Sequence, residues 1–282
     1  MSIVRVITDS AAEFPEKVVE DLDITVLPMN LHLGQDVFRD GVDITNSEFF
    51  ERLRRTSALP TASPPSLELF EDTYKLLSET TDQIISIHHS SKLSQTVNVA
   101  RRASESFIGR CWVNVVDSLS ISWGLGVLVE AAARAALEGA SLEEIVRLVR
   151  GMIPHIYIAF FVETLDYLER AGRLSKSQAI LGTMLNIKPI LIMEEGEIIP
   201  LEKVKTRSKA LDKLFEFVAE FSHIERGAIL QSHPNSEEAY ILIERLRGIF
   251  EGLSFPILTY GPVLATHIGP EAMGVVIYEG VA

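Results

Sequence analysis

A single cysteine stands among 282 residues, and no apolar tract reaches the roughly 18 residues that cross a bilayer, although 47% of the chain is hydrophobic. Cys111, alone beside Trp112, excludes an internal disulfide and any cysteine-cluster metal site, and it is expected to pack as a small buried hydrophobe. The opening MSIVRVITDS has no basic region, long apolar region and small-residue cleavage site in series. A cytoplasmic protein without stable membrane insertion is therefore expected. Basic residues are also scarce: 26 Lys and Arg against 39 Asp and Glu leave a net charge of −13, with no basic run to compensate. Such a molecule repels nucleic-acid phosphates, so no nucleic-acid partner is expected, and an anionic ligand would need a local cluster of donors. Catalytic signatures are missing as well. There is no Gly-x-Ser-x-Gly elbow, no Gly-x-x-x-x-Gly-Lys-Ser/Thr loop and no His-Glu-x-x-His, and Gly124-Leu125-Gly126 lacks a third glycine at dinucleotide spacing.

What is present is an alternation of strand and helix. Ile3 to Ile7 reads as a β-strand running into Thr8-Asp9-Ser10, and Glu13 to Glu20 has helical composition. Further strands are expected at Ile84 to Ile87 and Trp112 to Val116, with helices at Ser66 to Leu77, Gln95 to Phe107 and Leu125 to Leu137. That order predicts a largely parallel sheet flanked by helices, interrupted by an irregular excursion at about residues 29–60. Ser141 and Glu144 form a capping box opening a helix to Met152, and His155 to Val162 reads as a buried strand. Beyond it come a hairpin around Glu194-Glu195-Gly196-Glu197, helices at Arg207 to Phe221 and Glu238 to Ile249, and strands at Gly227 to Gln231 and Gly274 to Tyr278. The length favours two α/β domains, 1–155 and 156–282, the second with a mixed sheet and helices.

Four loop segments concentrate small hydroxyls beside apolar elements: Thr8-Asp9-Ser10, Pro60 to Ser66, His89 to Thr96 and Asp117 to Ser120. In an open α/β sheet, ligands sit beyond the carboxyl ends of the strands, where helix N-termini present free amides, and anions are the natural guests. Each Ser or Thr read singly is a helix cap, Ser94 and Ser120 included. His88 and His89 beside Ser90 and Ser91 suggest a base next to a nucleophile, yet adjacent residues seldom align for proton transfer.

Three later segments are distinctive: Leu165 to Ser175 with Arg170-Ala171-Gly172-Arg173, Leu185 to Leu191 with Asn186-Ile187-Lys188-Pro189, and Tyr260 to Pro270 with Thr266-His267-Ile268-Gly269-Pro270. Together with Thr8-Asp9-Ser10, Ser91-Lys92-Leu93-Ser94 and Val116-Asp117-Ser118, they make the chain resemble the DegV family from end to end. The resemblance implies a two-domain α/β fold that encloses a long-chain fatty acid between its domains, in a family that includes carriers delivering this acid to a separate fatty acid kinase. It places the carboxylate contacts on Thr61 or Ser63, on Ser94 and on His267. Ser91, Thr266, Asp9 and Ser10 complete the candidate ligand set, and Arg170 or Arg173 falls near the entrance or the partner-docking surface. Gln95, Val97, Ala171 and Glu271 depart from the residues usual in the family and bear on acyl preference and docking.

The chemistry is self-consistent. A fatty acid needs a dry slot for its tail and a few donors for its head, without cofactor or metal. His267, between Thr266 and Gly269-Pro270, reads as a loop residue that meets the carboxylate or as a histidine bonded to a nearby carbonyl. Ile180 to Ile192 and Ile156 to Val162 either line the slot or build the core, and Lys188 either reaches the head group or snorkels to water. The competing reading is an enzyme, a serine hydrolase or a phosphotransferase using Asp9, built on the same hydroxyl-rich loops.

Overall fold

A computed structural model of the chain describes residues 3–15, 17–56, 58–172, 187–233 and 236–280. The first strand, β1 (Arg5–Asp9), ends in the loop Ser10 to Pro15. The helical composition expected from residue 13 yields only α1 (Val18–Asp21), because Pro15 and the left-handed Lys17 (φ 69°) keep the preceding chain irregular. The excursion follows as β2 (Thr25–Leu27), β3 (Asn30–Leu33), β4 (Asp36–Arg39) and α2 (Asn46–Arg55). Helix α2 opens on a capping box between Thr45 and Glu48. Then come β5 (Thr61–Ser63), α3 (Leu67–Ser78), β6 (Gln83–His88), α4 (Thr96–Ser104), β7 (Trp112–Asp117), α5 (Ser122–Leu137) and α6 (Leu142–Met152). The remaining elements are β8 (Ile156–Phe161), α7 (Asp166–Arg170), β9 (Lys188–Glu194), β10 (Glu197–Val204), α8 (Arg207–Ala219) and β11 (Arg226–Gln231). They end with α9 (Glu237–Arg247), β12 (Ile257–Thr259), α10 (Pro262–Ile268) and β13 (Met273–Tyr278).

Three sheets result among the described residues. Strands β2-β1-β6-β7 pair in parallel, β4-β3-β5 form a small antiparallel sheet, and β10-β9-β8-β13-β11-β12 form a mixed sheet in which only β11 and β12 run parallel. The hairpin of β9 and β10 turns through Glu195 and Gly196, both at positive φ (46° and 84°), the backbone a two-residue hairpin loop requires.

Layering follows from burial. One face of the parallel sheet packs on α3 and α4 through Ile7, Phe70, Tyr74, Ile84 and Ala100. The outer face of the mixed sheet packs on α8 and α9 through Phe161, Ala210, Leu214, Ile229 and Leu242. Between the sheets lies a shared core in which Val6, Ile85, Trp123, Leu128, Phe160, Leu264 and Val276 meet. Helix α5 runs through it, touching β1 and β6 on one side and β8 and β13 on the other. That explains its near-uniform apolar sequence, since a helix buried all round carries no polar stripe.

The tight seat of α5 makes a prediction. A Cβ on Gly126 would stand 2.0 Å from the carbonyl oxygen of Glu13, which is backbone and cannot swing aside. Gly126→Ala is expected to destabilise the protein by about 3 kcal/mol; an unchanged midpoint in thermal or urea unfolding would contradict this packing.

Candidate functional site

The carboxyl ends of β1, β6 and β7 share one edge, and Asp9 organises it. Its fully buried carboxylate accepts from Nδ1 of His88 and Nδ1 of His89, each at 2.9 Å, from the His89 amide at 3.2 Å and from the Ala11 amide at 3.0 Å. Burial alone would raise its pKa, but the His89 charge and the bonds from both imidazoles outweigh it and hold the carboxyl well below the usual range. Nε2 of His88 and the Ser86 hydroxyl are hydrogen-bonded at 2.7 Å, and Tyr74 donates to Ser86 at 2.9 Å. Asp9, His88 and Ser86 thus stand in the order of a nucleophile relay. Ser86 is fully buried, however, with Tyr74 on its hydroxyl and the Phe70 ring edge-on to His88 at 5.2 Å. The row is a structural buttress.

Neighbouring loop residues are likewise committed to the protein. Ser10 donates to Asp40 at 2.7 Å and accepts from the Met29 amide at 3.0 Å. The Ser90 hydroxyl donates to the carbonyl of Gly196 at 2.7 Å, tying β6 to the hairpin turn of the mixed sheet. Asp117 accepts from the amides of Ser91 and Leu119, each at 3.1 Å. Ser94 accepts from the Thr96 amide at 3.2 Å but is not the cap of α4, whose N-cap is Gln95, and Ser120 does not cap α5, its hydroxyl being buried without a hydrogen-bond partner among the described residues.

The residues expected to hold a carboxylate fall at a different junction, where β5 meets α10. Strand β5 offers Thr61 and Ser63; Ser63 bonds Nε2 of His32 at 2.8 Å across the β3 pairing. Helix α10 offers Thr266, whose hydroxyl donates to the Val263 carbonyl at 2.8 Å, and the buried His267. The expected loop around His267 is a helix instead: Pro262 occupies its first turn, where a missing N–H costs nothing, and Gly269 (φ 81°) ends it. A Cβ on Gly269 would stand 2.7 Å from the ring of Tyr167, so glycine lets α10 press on α7. The Ser94 hydroxyl bonds that of Thr96 at 2.8 Å, and Thr96 touches the sulfur of Met29, the residue before β3, which pairs with β5.

Arg170 ends α7, exposed, on the helix that packs against α10; Arg173 lies outside the described residues. Lys188 neither reaches the junction nor snorkels freely, because it pairs with Glu163, which also accepts from Arg207 at 2.6 Å. Ile156 and Ile158 line a largely apolar cleft of about 420 Å3 with Ile153, Ile192, Met193 and Phe217, whereas Phe160 and Val162 belong to the shared core. Two polar atoms escaped sequence reasoning. Nε2 of His89 and the Thr8 hydroxyl are buried without a hydrogen-bond partner among the described residues, on the face of the parallel sheet that carries Val6, Ile85 and Ile87.

Because the Asp9 pKa is depressed on folding, its stabilisation is present at neutral pH and fades as the pH falls below about 4. Asp9→Asn is expected to cost about 3 kcal/mol at pH 7 and to flatten the stability profile below pH 4; an acid limb unchanged in the variant would overturn this role.

Comparison with known proteins agrees with the architecture. Residues 3–280 match the family model described as "Uncharacterised protein, DegV family". A DegV domain-containing protein of Caldanaerobacter subterraneus subsp. tengcongensis is 36% identical over 99% of this chain and 100% of its own length. Among solved structures, one described as "Fatty Acid Binding of a DegV family Protein from Thermus thermophilus" superposes with a TM-score of 0.87 at 32% identity, covering 99% of this chain and 100% of that one. The structure of DegV from Bacillus subtilis, described as a fatty acid binding protein, gives a TM-score of 0.87 at 30% identity with the same coverage. A family match over residues 3–280, with a relative 36% identical along its whole length, places this chain in the DegV family.

Proposed function

We propose that this protein binds a long-chain fatty acid between two domains divided near residue 155 and, as a cytoplasmic carrier, presents the carboxylate to a separate fatty acid kinase. The observation that supports this reading is the contact between β5, which carries Thr61 and Ser63, and α10, which carries Thr266 and His267, while Ser94 bonds Thr96 and Thr96 touches Met29. The fatty-acid-binding relatives in Thermus thermophilus and Bacillus subtilis support it.

The energetics fit. At roughly 0.8 kcal/mol per methylene, burying about fifteen contributes on the order of 12 kcal/mol, more than the several kcal/mol lost on association. The tail therefore supplies affinity. An unpaired buried carboxylate would cancel much of that gain, so the hydroxyls and the imidazole supply orientation. Asp9, Ser10 and the Ser91 amide act one layer behind, holding the loops and not the ligand. The enzyme reading rests on the hydroxyl-rich loops and Asp9, and the row Asp9, His88 and Ser86 adds no accessible nucleophile to it, since a substrate would have to displace Tyr74 to reach that hydroxyl.

Lipid extraction and native mass spectrometry of protein purified from cells are expected to yield one fatty acid per chain; an empty protein that turns over an ester or ATP would replace the carrier by an enzyme. Ser94→Ala and His267→Ala are each expected to weaken oleate binding at least tenfold, the loss of one charge-assisted bond of about 1.5–3 kcal/mol, with unfolding midpoints preserved. Wild-type affinity in both would remove these residues from the head-group site. Arg170→Glu is expected to slow phosphorylation of the bound acid by the kinase without changing oleate affinity, and an unchanged rate would move the docking surface elsewhere.

A further inference from the structure

A second carboxyl in the loop after β1 is left over by the head-group site. The backbone of Glu13 is strapped to the start of α5: its amide donates to the Ser122 carbonyl at 3.3 Å, and the Ser122 amide donates to Ala11 at 2.8 Å, with Ser122 held at φ 58°. The side chain then bridges two elements far apart in sequence. The Ser122 hydroxyl donates to Oε2 at 2.5 Å, and the amide of Gly261, 248 residues along the chain, donates to Oε1. Gly261 is the residue from which α10 starts. At the other end the same helix is held by Tyr260, whose hydroxyl donates to the Gly269 carbonyl at 2.8 Å and accepts from the Ala272 amide at 3.2 Å.

We propose that Glu13 is a positioning residue for head-group binding: its carboxyl ties the start of α5 in the N-terminal half to the start of α10 in the C-terminal half, and so fixes the helix that presents Thr266 and His267. The ligand named here rests on the reading of the preceding section. Without the tie, α10 would keep its clamp at Tyr260 and lose its anchor to the N-terminal half, and His267 would no longer be held in register with Thr61, Ser63 and Ser94.

The surroundings make the tie sensitive to charge. Burial pushes Glu13 up to about 8 against the bonds from Ser122 and Gly261, and the charge of Asp40 adds to the rise. Asp40, after β4, is itself pushed up to about 6 by burial, opposed by the Ser10 bond and reinforced by Asp9. Tyr260, raised by burial, also feels the charge of Glu13, and Asn46 at the start of α2 lines a cleft of about 310 Å3 together with Glu13, Asp40 and Gly261. A neutral Glu13 holds both partners without adding charge, Oε1 still accepting from the Gly261 amide while Oε2–H donates to the Ser122 hydroxyl in a reversed bond, whereas its ionisation sets a second carboxylate near Asp40 and favours opening of the cleft. The sign follows: the folded pKa is raised, so this stabilisation is complete below about pH 4.3 and is lost as the pH rises through about 8.

The test measures oleate affinity of the delipidated full-length chain by calorimetry from pH 6 to pH 9, for wild type, Glu13→Gln and Glu13→Ala. Glu13→Gln keeps an acceptor for Gly261 and a donor for Ser122, and is expected to bind within about threefold of wild type at pH 7 with no pH dependence. Glu13→Ala is expected to bind about tenfold more weakly, equivalent to ~1.4 kcal/mol. Wild type is expected to weaken several-fold between pH 7 and pH 9, with the Gly261 amide and the His267 ring shifting together in 15N spectra. The proposal is overturned if Glu13→Ala binds like wild type, or if Glu13→Gln keeps the wild-type pH profile, a comparison that stands even where the alanine variant does not fold. A wild type that takes up no oleate sinks the lipid reading and the proposal with it, and is distinct from the failure of Glu13 alone, in which wild type binds and the variants match it.

Discussion

A single buried carboxylate, Asp9, fixes the edge on which the rest of the molecule depends. Its bonds to His88 and His89 lock the ends of β1 and β6 in register, and the loops that leave those ends then reach outward: Ser10 to the excursion at Met29, Ser90 to the hairpin turn at Gly196. A charge in the interior is costly unless every lone pair is used, and Asp9 accepts from two rings and two amides. Burial and satisfaction together make the loop conformations unique, which a set of exposed serines cannot do.

The second constraint is geometric. Two sheets share one core, and α5 fills the space between them, so the halves of the chain cannot separate without exposing Trp123, Leu128, Phe160 and Leu264. Glycines stand at both ends of α10 where neighbours approach closely, Gly261 beside Glu13 and Gly269 against Tyr167. A helix of seven residues, held by side chains from outside itself, is a suitable carrier for groups that must meet a ligand.

Elements with local signals were legible in the sequence. The capping box of Ser141 and Glu144 opens α6 where expected, with the Glu144 carboxylate 2.9 Å from the Ser141 amide, and the Glu195-Gly196 turn sets the hairpin. His155 to Val162, read as a buried strand, holds β8, whose last four residues are buried. Strands β2 and β12 were not legible, since three residues hold too little pattern and owe their identity to pairing with β1 and β11. Helix α10 was read as a loop because Gly-Pro punctuation surrounds it and part of its anchoring comes from Glu13, at the opposite end of the chain. Lys188 was misjudged for a related reason, as its partner Glu163 lies across the β8–β9 connection. Local sequence carries caps and turns; partners brought together by the fold it does not carry.

The central claim is that an acyl carboxylate sits where β5 meets α10, and a crystal structure of the delipidated protein reloaded with oleate tests it most directly. The account predicts carboxylate oxygens within hydrogen-bond distance of the Ser94 hydroxyl and the His267 ring, with Thr61 or Ser63 completing the set. Density for the head group at another surface, with that junction filled only by protein side chains, would contradict it.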